Sequence, residues 1–200
     1  VITENDCTQG GEKFSIVNIN NINVGFISAT VNKDISQYVS QLRKAGAEYI
    51  FFFCSWNERH TPAVKPKWRN QAVKAAESGA DIIIGNGLNA IAEYDVIECA
   101  DGRHVPVAYS LGSLIPADPA TRFEKIGALL CVRLKRDTAT GKVNTDLCGY
   151  IPYAFKDYGT EHRAVLLSDD NARYFGLSVY DTLKKQVATA LGSKIELARY

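Results

Sequence analysis

The chain has 200 residues, enough for one globular domain or two small ones. A net charge of +1, with 46% hydrophobic and 22% charged residues, argues against a nucleic acid or an anionic membrane surface as partner. No apolar run approaches the roughly 20 residues that span a bilayer, and no signal peptide is visible. The chain has no methionine at all, which suggests a piece of a longer protein.

The first half of the chain alternates between apolar strands and amphipathic helices. Two strand-like segments joined at Asn21-Ile22 predict a hairpin, because asparagine tolerates turn conformations. Helices then alternate with short strands that are apolar throughout, as in strands covered on both faces. This order predicts a βαβαβ unit of parallel strands with right-handed crossovers. The predicted segments are strands 14–20, 23–31, 47–54 and 81–85 and helices 34–46 and 66–79.

The second half is predicted to be mainly antiparallel. Residues 91–112 and 125–155 each have the pattern of two strands joined by a turn. Lys156–Arg173 is polar and is predicted to be a linker, and residues 177–192 predict a closing helix. The apolar face of this helix comprises Leu177, Tyr180, Leu183, Val187 and Leu191. The predicted division is an α/β domain over 1–155 and a linker with the C-terminal helix over 156–200.

The cysteines indicate free thiols rather than a disulfide framework. They are odd in number and widely spaced, with no CxxC pair. Cys54 and Cys131 lie in apolar segments and have the pattern of small buried hydrophobes. A disulfide between Cys99 and Cys148 is the alternative, because both lie on strands that could be neighbours. This usage favours a reducing compartment such as the cytoplasm.

Two loops that follow buried strands carry the candidate site residues. Loops beyond the carboxyl ends of parallel strands commonly carry function. The first loop is a candidate for substrate or metal binding, or for acid–base chemistry through His60 and Glu58, with a solvated surface loop as the alternative. Its candidates are Trp56, Asn57, Glu58, Arg59 and His60.

The second loop, "GNGLN", offers Asn86 and Asn89 as hydrogen-bonding groups. It is neither a Walker motif nor a dinucleotide fingerprint, so a polar pocket and a plain tight turn both remain open. Ser110 and Ser113 leave another strand close by, but "AYSLGSLIP" is not a G-x-S-x-G nucleophile elbow. His104 and His162 are expected to be surface residues.

Four segments carry a common pattern: "NINVGFISAT", "AEYIFFFCSWNERHTP", "RNQAVKAAESGADIIIGNGLNAI" and "VPVAYSLGSLI". Together they resemble the CapA family, the poly-gamma-glutamate capsule-biosynthesis proteins with a calcineurin-like metallophosphoesterase fold. The resemblance runs from Phe14 to Ile115 and continues loosely through "GALLCVRL" and "GYIP". It implies an α/β fold that corresponds to the C-terminal half of a four-layer α/β/β/α sandwich, in which the βαβαβ unit is followed by antiparallel strands.

The chain departs from the family where the resemblance implies metal ligands. The family has His-Trp-Gly where this chain has Ser55-Trp56-Asn57, and Gly-x-His-Pro-His where it has Gly-Asn-Gly-Leu88-Asn89. Histidines implied at Ser55 and Asn89 are therefore replaced by neutral groups. Two closely spaced cations need several anionic or imidazole ligands. We therefore expect no competent dinuclear metal site in this part of the fold, and no cofactor.

Two functions follow from the resemblance. The first is a binding or scaffold domain, without metal, in the synthesis of capsule, poly-gamma-glutamate or another cell-wall polymer. Its ligand would be an anionic polymer or peptide, and Arg59 could pair with a carboxylate. The second is a metal-dependent hydrolase completed by an N-terminal half outside this chain. The resemblance implies the bacterial cell envelope, with capsule-synthesis proteins as partners, whereas the cysteines favour the cytoplasm. The predicted pocket comprises Trp56, Asn57, Glu58, Arg59, His60, Asn86, Asn89 and Ser110.

Overall fold

The computed structural model describes residues 13–58, 63–116, 122–159 and 161–198. These residues form two β-sheets and three α-helices, with short 3₁₀ turns at Arg122–Lys125 and Asp169–Tyr174. The strands are β1 (Lys13–Ile19), β2 (Ile22–Thr30), β3 (Tyr49–Ser55), β4 (Ile82–Asn86), β5 (Ile91–Glu98), β6 (His104–Leu111), β7 (Ile126–Arg136), β8 (Val143–Asp157), β9 (His162–Leu166) and β10 (Glu196–Leu197). The helices are α1 (Ser36–Lys44), α2 (Pro66–Glu77) and α3 (Leu177–Leu191).

The larger sheet has the strand order β1-β2-β3-β4-β6-β5. Strands β2, β3, β4 and β6 are parallel, whereas β1 and β5 pair antiparallel with β2 and β6. Helix α1 connects β2 to β3, and α2 connects β3 to β4. The predicted βαβαβ unit, the parallel strands and the following antiparallel strands are therefore confirmed.

The first hairpin turns one residue earlier than predicted. Strand β2 begins at Ile22, so the connection is Asn20-Asn21 rather than Asn21-Ile22. Both asparagines have positive φ, 48° and 62°, as a two-residue hairpin turn with the twist of the strands requires. Ile22 cannot take that role, because a β-branched residue is strained at positive φ.

Helices α1 and α2 cover one face of the larger sheet. Leu42 of α1 is 1% exposed, and Trp68 of α2 is fully buried together with Phe52 of β3. Burying a side chain such as Leu42 contributes about 1.5–3 kcal/mol to folding. Three alanines on α2 let this helix lie close to the sheet: Ala72, Ala75 and Ala76.

The smaller sheet packs on the opposite face of the larger one. Its longest strand, β8, pairs with β7 along one edge and with β10 and β9 along the other. Tyr49 and Ile82 of the larger sheet form a buried cluster with Val143 of the smaller one. Helix α3 packs against β5, β7 and β8 through Tyr180, Val187 and Leu191.

Two predictions for the second half are wrong in part. The predicted linker contains the end of β8 and the whole of β9, which pair in antiparallel register, and β8 crosses the boundary predicted at residue 155. Its polar residues belong to an edge strand, where alternate side chains face solvent. Leu177, predicted on the apolar face of the last helix, is 74% exposed at the start of α3.

Cys54, Cys99, Cys131 and Cys148 are free thiols. The alternative of a disulfide between Cys99 and Cys148 is therefore wrong, whereas the expected free thiols are confirmed for these four residues. Burial raises the pKa of the Cys54 thiol to about 12, so this cysteine is an inert core residue. Cys7 lies outside the described residues. No helix within the described residues is long and apolar enough to cross a membrane.

Candidate functional site

The carboxyl ends of the parallel strands meet along one edge of the larger sheet. The strand register places Thr30, Ser55 and Asn86 side by side at the ends of β2, β3 and β4. Strand β6 lies on the far side of β4 and ends nearby at Leu111. This edge is where ligands bind in open α/β sheets. The structure therefore brings the two predicted loops together, as the sequence indicated.

Trp56 lies in the core beneath the loops of this edge. It was predicted to line the pocket, but its side chain is fully buried and packs against Trp68, with ring centroids 5.8 Å apart. Its indole Nε1–H donates to the carbonyl oxygen of Tyr109 over 2.7 Å. This bond crosses directly over Gly85, where a Cβ atom would collide with both partners. The bond ties the end of β3 to the end of β6.

The surface of the edge carries a series of neutral hydrogen-bonding groups. The Ser55 hydroxyl donates to Asn57 Oδ1 over 3.2 Å, and the Ser113 hydroxyl donates to Asn89 Oδ1 over 3.4 Å. The Asn86 side-chain oxygen accepts the backbone N–H of Gly87 over 2.6 Å. Among the described residues these bonds use only the side-chain oxygens, so the amide NH₂ groups of the three asparagines remain as donors.

The backbone of both loops adopts conformations that few residues tolerate. Asn57 and Asn89 have φ values of 55° and 58°, and Gly87 has a φ of 92°. Asparagine is among the few residues other than glycine that adopt this left-handed region readily. A Cβ at Gly87 would lie 3.3 Å from Ser55 Oγ, which shows how closely the two loops approach. The loop chemistry thus depends on asparagine and glycine for shape as well as for polarity.

Glu58 is held by lysines rather than exposed as a free acid–base group. Its carboxylate accepts a hydrogen bond from Lys65 and pairs with Lys67 Nζ at 2.6 Å. These contacts keep the pKa of Glu58 below its ordinary value, with the Lys65 hydrogen bond as the largest cause. A carboxyl group with a lowered pKa is ionised at neutral pH and is a poor general acid.

Ser110 is buried beneath the last loop of the edge. It is 3% exposed, and its hydroxyl accepts the backbone N–H of Gly112 over 3.3 Å. Gly112 has a φ of 81° and approaches the carbonyl of Ile126, so it turns the chain from the larger sheet to the smaller one. Arg59 and His60, the other two predicted pocket residues, lie outside the described residues.

The groups at this edge do not fit a dinuclear metal centre. Ser55 and Asn89, where the family resemblance implies histidines, are neutral, and their oxygen atoms take part in hydrogen bonds with Asn57 and Ser113. Leu88, where the resemblance implies proline, is fully buried in the core. No cluster of three or more His, Cys, Asp or Glu side chains suited to a metal ion occurs in the described parts of the chain. Neutral oxygen ligands alone give no charge to hold two cations together.

Residues 6–117 match a family model described as bacterial capsule synthesis protein PGA_cap. The match covers more than half of the chain. The chain belongs to this family. The CapA resemblance seen in the sequence is thereby confirmed, and with it the setting of bacterial capsule synthesis.

Among solved structures, the chain is similar to the NAD nucleotidase of Haemophilus influenzae, with 12% sequence identity and a TM-score of 0.45. The similarity covers 90% of this chain but only 37% of that protein, so the chain spans little more than a third of its length. At this TM-score the similarity carries no argument about function. No curated protein matches the sequence.

Two features of the edge were not predicted from the sequence. Lys65 and Lys67 bind Glu58, but only the course of the loop brings them together. Ser113 was considered as a nucleophile and instead supports Asn89. Only Pro66 could have indicated the position of the two lysines. Proline is typical of the first turn of a helix, so it marks the start of α2 and places both lysines beside the edge. His104 and His162 are exposed, as predicted.

Proposed function

We propose that this CapA-family domain binds an anionic polymer or peptide during capsule synthesis, at the carboxyl edge of its larger sheet and without a metal ion. The observation that carries the proposal is the neutral amide and hydroxyl series formed by Ser55, Asn57, Asn86 and Asn89, in which the asparagine side-chain oxygens accept local hydrogen bonds and Asn57 and Asn86 are exposed. Such groups can donate hydrogen bonds to carboxylate or carbonyl oxygens without requiring a cation.

The charges beside this edge support an anionic ligand. Lys65 and Lys67 lie at the start of α2, next to the loop that carries Asn57. Together they bring two positive charges against the single carboxylate of Glu58. The predicted carboxylate partner Arg59 would add a third positive charge on the same loop. Poly-gamma-glutamate and glutamate-containing cell-wall peptides are ligands of this chemical class.

The test uses substitutions that change charge but not shape. Asn86→Asp and Asn89→Asp keep the side-chain oxygens that accept from Gly87 and Ser113. Each adds one negative charge and removes the amide donors. Repulsion between two charges 4 Å apart in water is about 1 kcal/mol, so we expect affinity for poly-gamma-glutamate to fall about fivefold or more per substitution.

The same substitutions distinguish this proposal from a metal-dependent hydrolase. In a metal site, an added carboxylate is a better cation ligand than an amide, so metal affinity would rise. The measurements are polymer binding by titration calorimetry and metal content by elemental analysis of the full-length protein. Stoichiometric manganese, zinc or iron in the wild-type protein would contradict the proposal, as would unchanged polymer affinity in both variants. Lys185→Gln, on an exposed part of α3, serves as the control for a general change of charge.

A further inference from the structure

A second surface lies away from the candidate site, along the open edge of β9. A groove of about 540 Å³ runs beside all five residues of this strand. Ile115, Tyr158, Asn171 and Tyr174 complete its lining. Strand β9 pairs with β8 on one side and has no second neighbouring strand within the described parts of the chain.

The hydrogen bonds at both ends of β9 show which backbone groups face the groove. Tyr158 N–H donates to the carbonyl of Glu161, and Leu167 N–H donates to that of Pro152. In an antiparallel pair, alternate residues direct both backbone groups toward the partner strand. Arg163 therefore bonds to β8, whereas the N–H and C=O of Ala164 point into the groove.

Aromatic rings and cations frame this edge. Tyr158 and Tyr174 line the groove and are 44% and 39% exposed. The Arg163 guanidinium lies over the Tyr158 ring at 5.5 Å, and that of Arg173 lies over the Tyr174 ring at 5.2 Å. Lys156 Nζ lies 5.3 Å from the Tyr158 ring centroid. The rings hold these cations in place beside the groove.

Two of these cations have no carboxylate partner among the described residues. Lys156 contacts only the carbonyl oxygen of Tyr174 and aromatic rings, and Arg173 contacts only its neighbouring ring. Arg163 pairs with Glu161 at 2.5 Å, but both side chains are more than half exposed, so this pair is weak. The surface therefore offers the unpaired backbone groups of Ala164 beside two cations without a carboxylate partner, while Asp157 lies 3.4 Å from His162 and Glu161 pairs with Arg163.

We propose that this groove binds an extended acidic peptide segment, which adds as a strand to the free edge of β9. Such β-augmentation obtains affinity from main-chain hydrogen bonds and specificity from alternate side chains. The five residues of β9 span about 16 Å at 3.3 Å per residue. The Asn171 amide already donates to the Leu166 carbonyl over 3.1 Å, so the peptide would pair with the outward-facing backbone groups of His162 and Ala164. Acidic side chains at every second position of the peptide would face Lys156, Arg163 and Arg173. A γ-linked glutamate chain does not have the amide spacing of a β-strand, so the groove selects an α-linked peptide.

The probe is a hexapeptide that alternates glutamate and valine, titrated into the whole chain and followed by fluorescence anisotropy. The decisive variant is Ala164→Pro, which removes the N–H that faces the groove but leaves the bonds to β8, as proline can at an edge strand. Its matched control, Ala164→Val, keeps the N–H. We expect Ala164→Pro to bind about threefold to tenfold more weakly than Ala164→Val, the usual effect of one hydrogen bond. Equal affinity of the two variants would overturn the proposal.

A second pair of variants tests the charge without touching the backbone. Arg173→Gln should weaken the acidic peptide, whereas Lys185→Gln, which removes one charge from α3, should not. A hexapeptide that alternates lysine and valine should not bind.

The proposal is overturned if that peptide, or a γ-linked glutamate oligomer, binds as tightly as the α-linked acidic one. It is likewise overturned if the acidic peptide fails to bind the wild-type chain at millimolar concentration. Asn86 and Asn89 do not line this groove, so Asn86→Asp and Asn89→Asp should leave the affinity for the acidic peptide unchanged. The failure of one proposal can therefore be distinguished from the failure of the other.

Discussion

Replacing Gly85 by alanine perturbs the contact that joins the ends of β3 and β6. A methyl group at this position would lie 2.0 Å from the carbonyl oxygen of Tyr109 and 2.1 Å from Trp56 Nε1. The hydrogen bond between these two atoms, 2.7 Å long and fully buried, cannot persist with an atom between them. The indole ring or strand β6 must therefore move.

The magnitude follows from two contributions. Leaving a buried donor and a buried acceptor without partners costs about 1–3 kcal/mol for each group. Inserting a carbon atom into a packed core costs about 1–3 kcal/mol more. We expect Gly85→Ala to lower the free energy of unfolding by about 3–9 kcal/mol, a large part of the ~5–15 kcal/mol that holds a domain together.

The assay is urea unfolding followed by tryptophan fluorescence, with Gly102→Ala as the control. Gly102 has a φ of 84° but nothing within 4 Å of an added Cβ, so only the backbone contributes, about 1 kcal/mol. A loss at Gly85 no larger than that at Gly102 would refute the reasoning. It would mean that the indole bond does not hold the loops of the candidate site in place.

Two further predictions concern charge and the tryptophan pair. Hydrogen bonds from Arg136 and from a backbone N–H lower the pKa of Glu48 from an ordinary 4.5 to about 2. The stabilisation by ionised Glu48 is therefore complete above pH 4.5 and is lost as the pH falls toward 2. The stability difference between wild type and Glu48→Gln, measured by urea unfolding, should therefore be largest near neutral pH and disappear near pH 2, and a difference that grows with acid would contradict this sign. Trp56→Phe leaves the Tyr109 carbonyl unpaired and should cost about 1–3 kcal/mol more than Trp68→Phe, because the buried Trp68 Nε1 has no acceptor among the described residues. Equal losses in thermal melts of the two variants would contradict that difference.

The βαβαβ unit could be predicted because its signals are local. Apolar runs such as 81–85 and helices that end at glycine follow directly from burial on both faces and from helix termination. Their arrangement in one parallel sheet then follows from the handedness of the crossovers. The position of Asn86 and Asn89 at the carboxyl edge could be predicted for the same reason.

The role of Trp56 could not be predicted from the sequence. The loop pattern places it among polar residues, so it resembles a pocket residue. Its burial depends on an acceptor 53 residues away, the carbonyl of Tyr109, and on the space left by Gly85. Contacts of this kind depend on how strands are ordered in the sheet, which a local pattern does not contain.

Strand β9 was missed because edge strands have weak signals. Its sequence, "HRAVL", has only three apolar residues and follows a polar turn, so composition favours a linker. Pairing with β8 supplies the order that the sequence alone does not indicate. The cations and tyrosines around this strand had likewise no common motif, because they converge only after β8 and β9 pair.

The central claim is that this CapA-family domain binds an anionic polymer without a metal ion. The most direct measurement is the affinity of the full-length protein for poly-gamma-glutamate before and after exhaustive treatment with a chelator. We expect the same dissociation constant before and after chelation, and a larger one in Asn86→Asp and Asn89→Asp. Loss of binding on chelation, with recovery when manganese or zinc is added back, would contradict it.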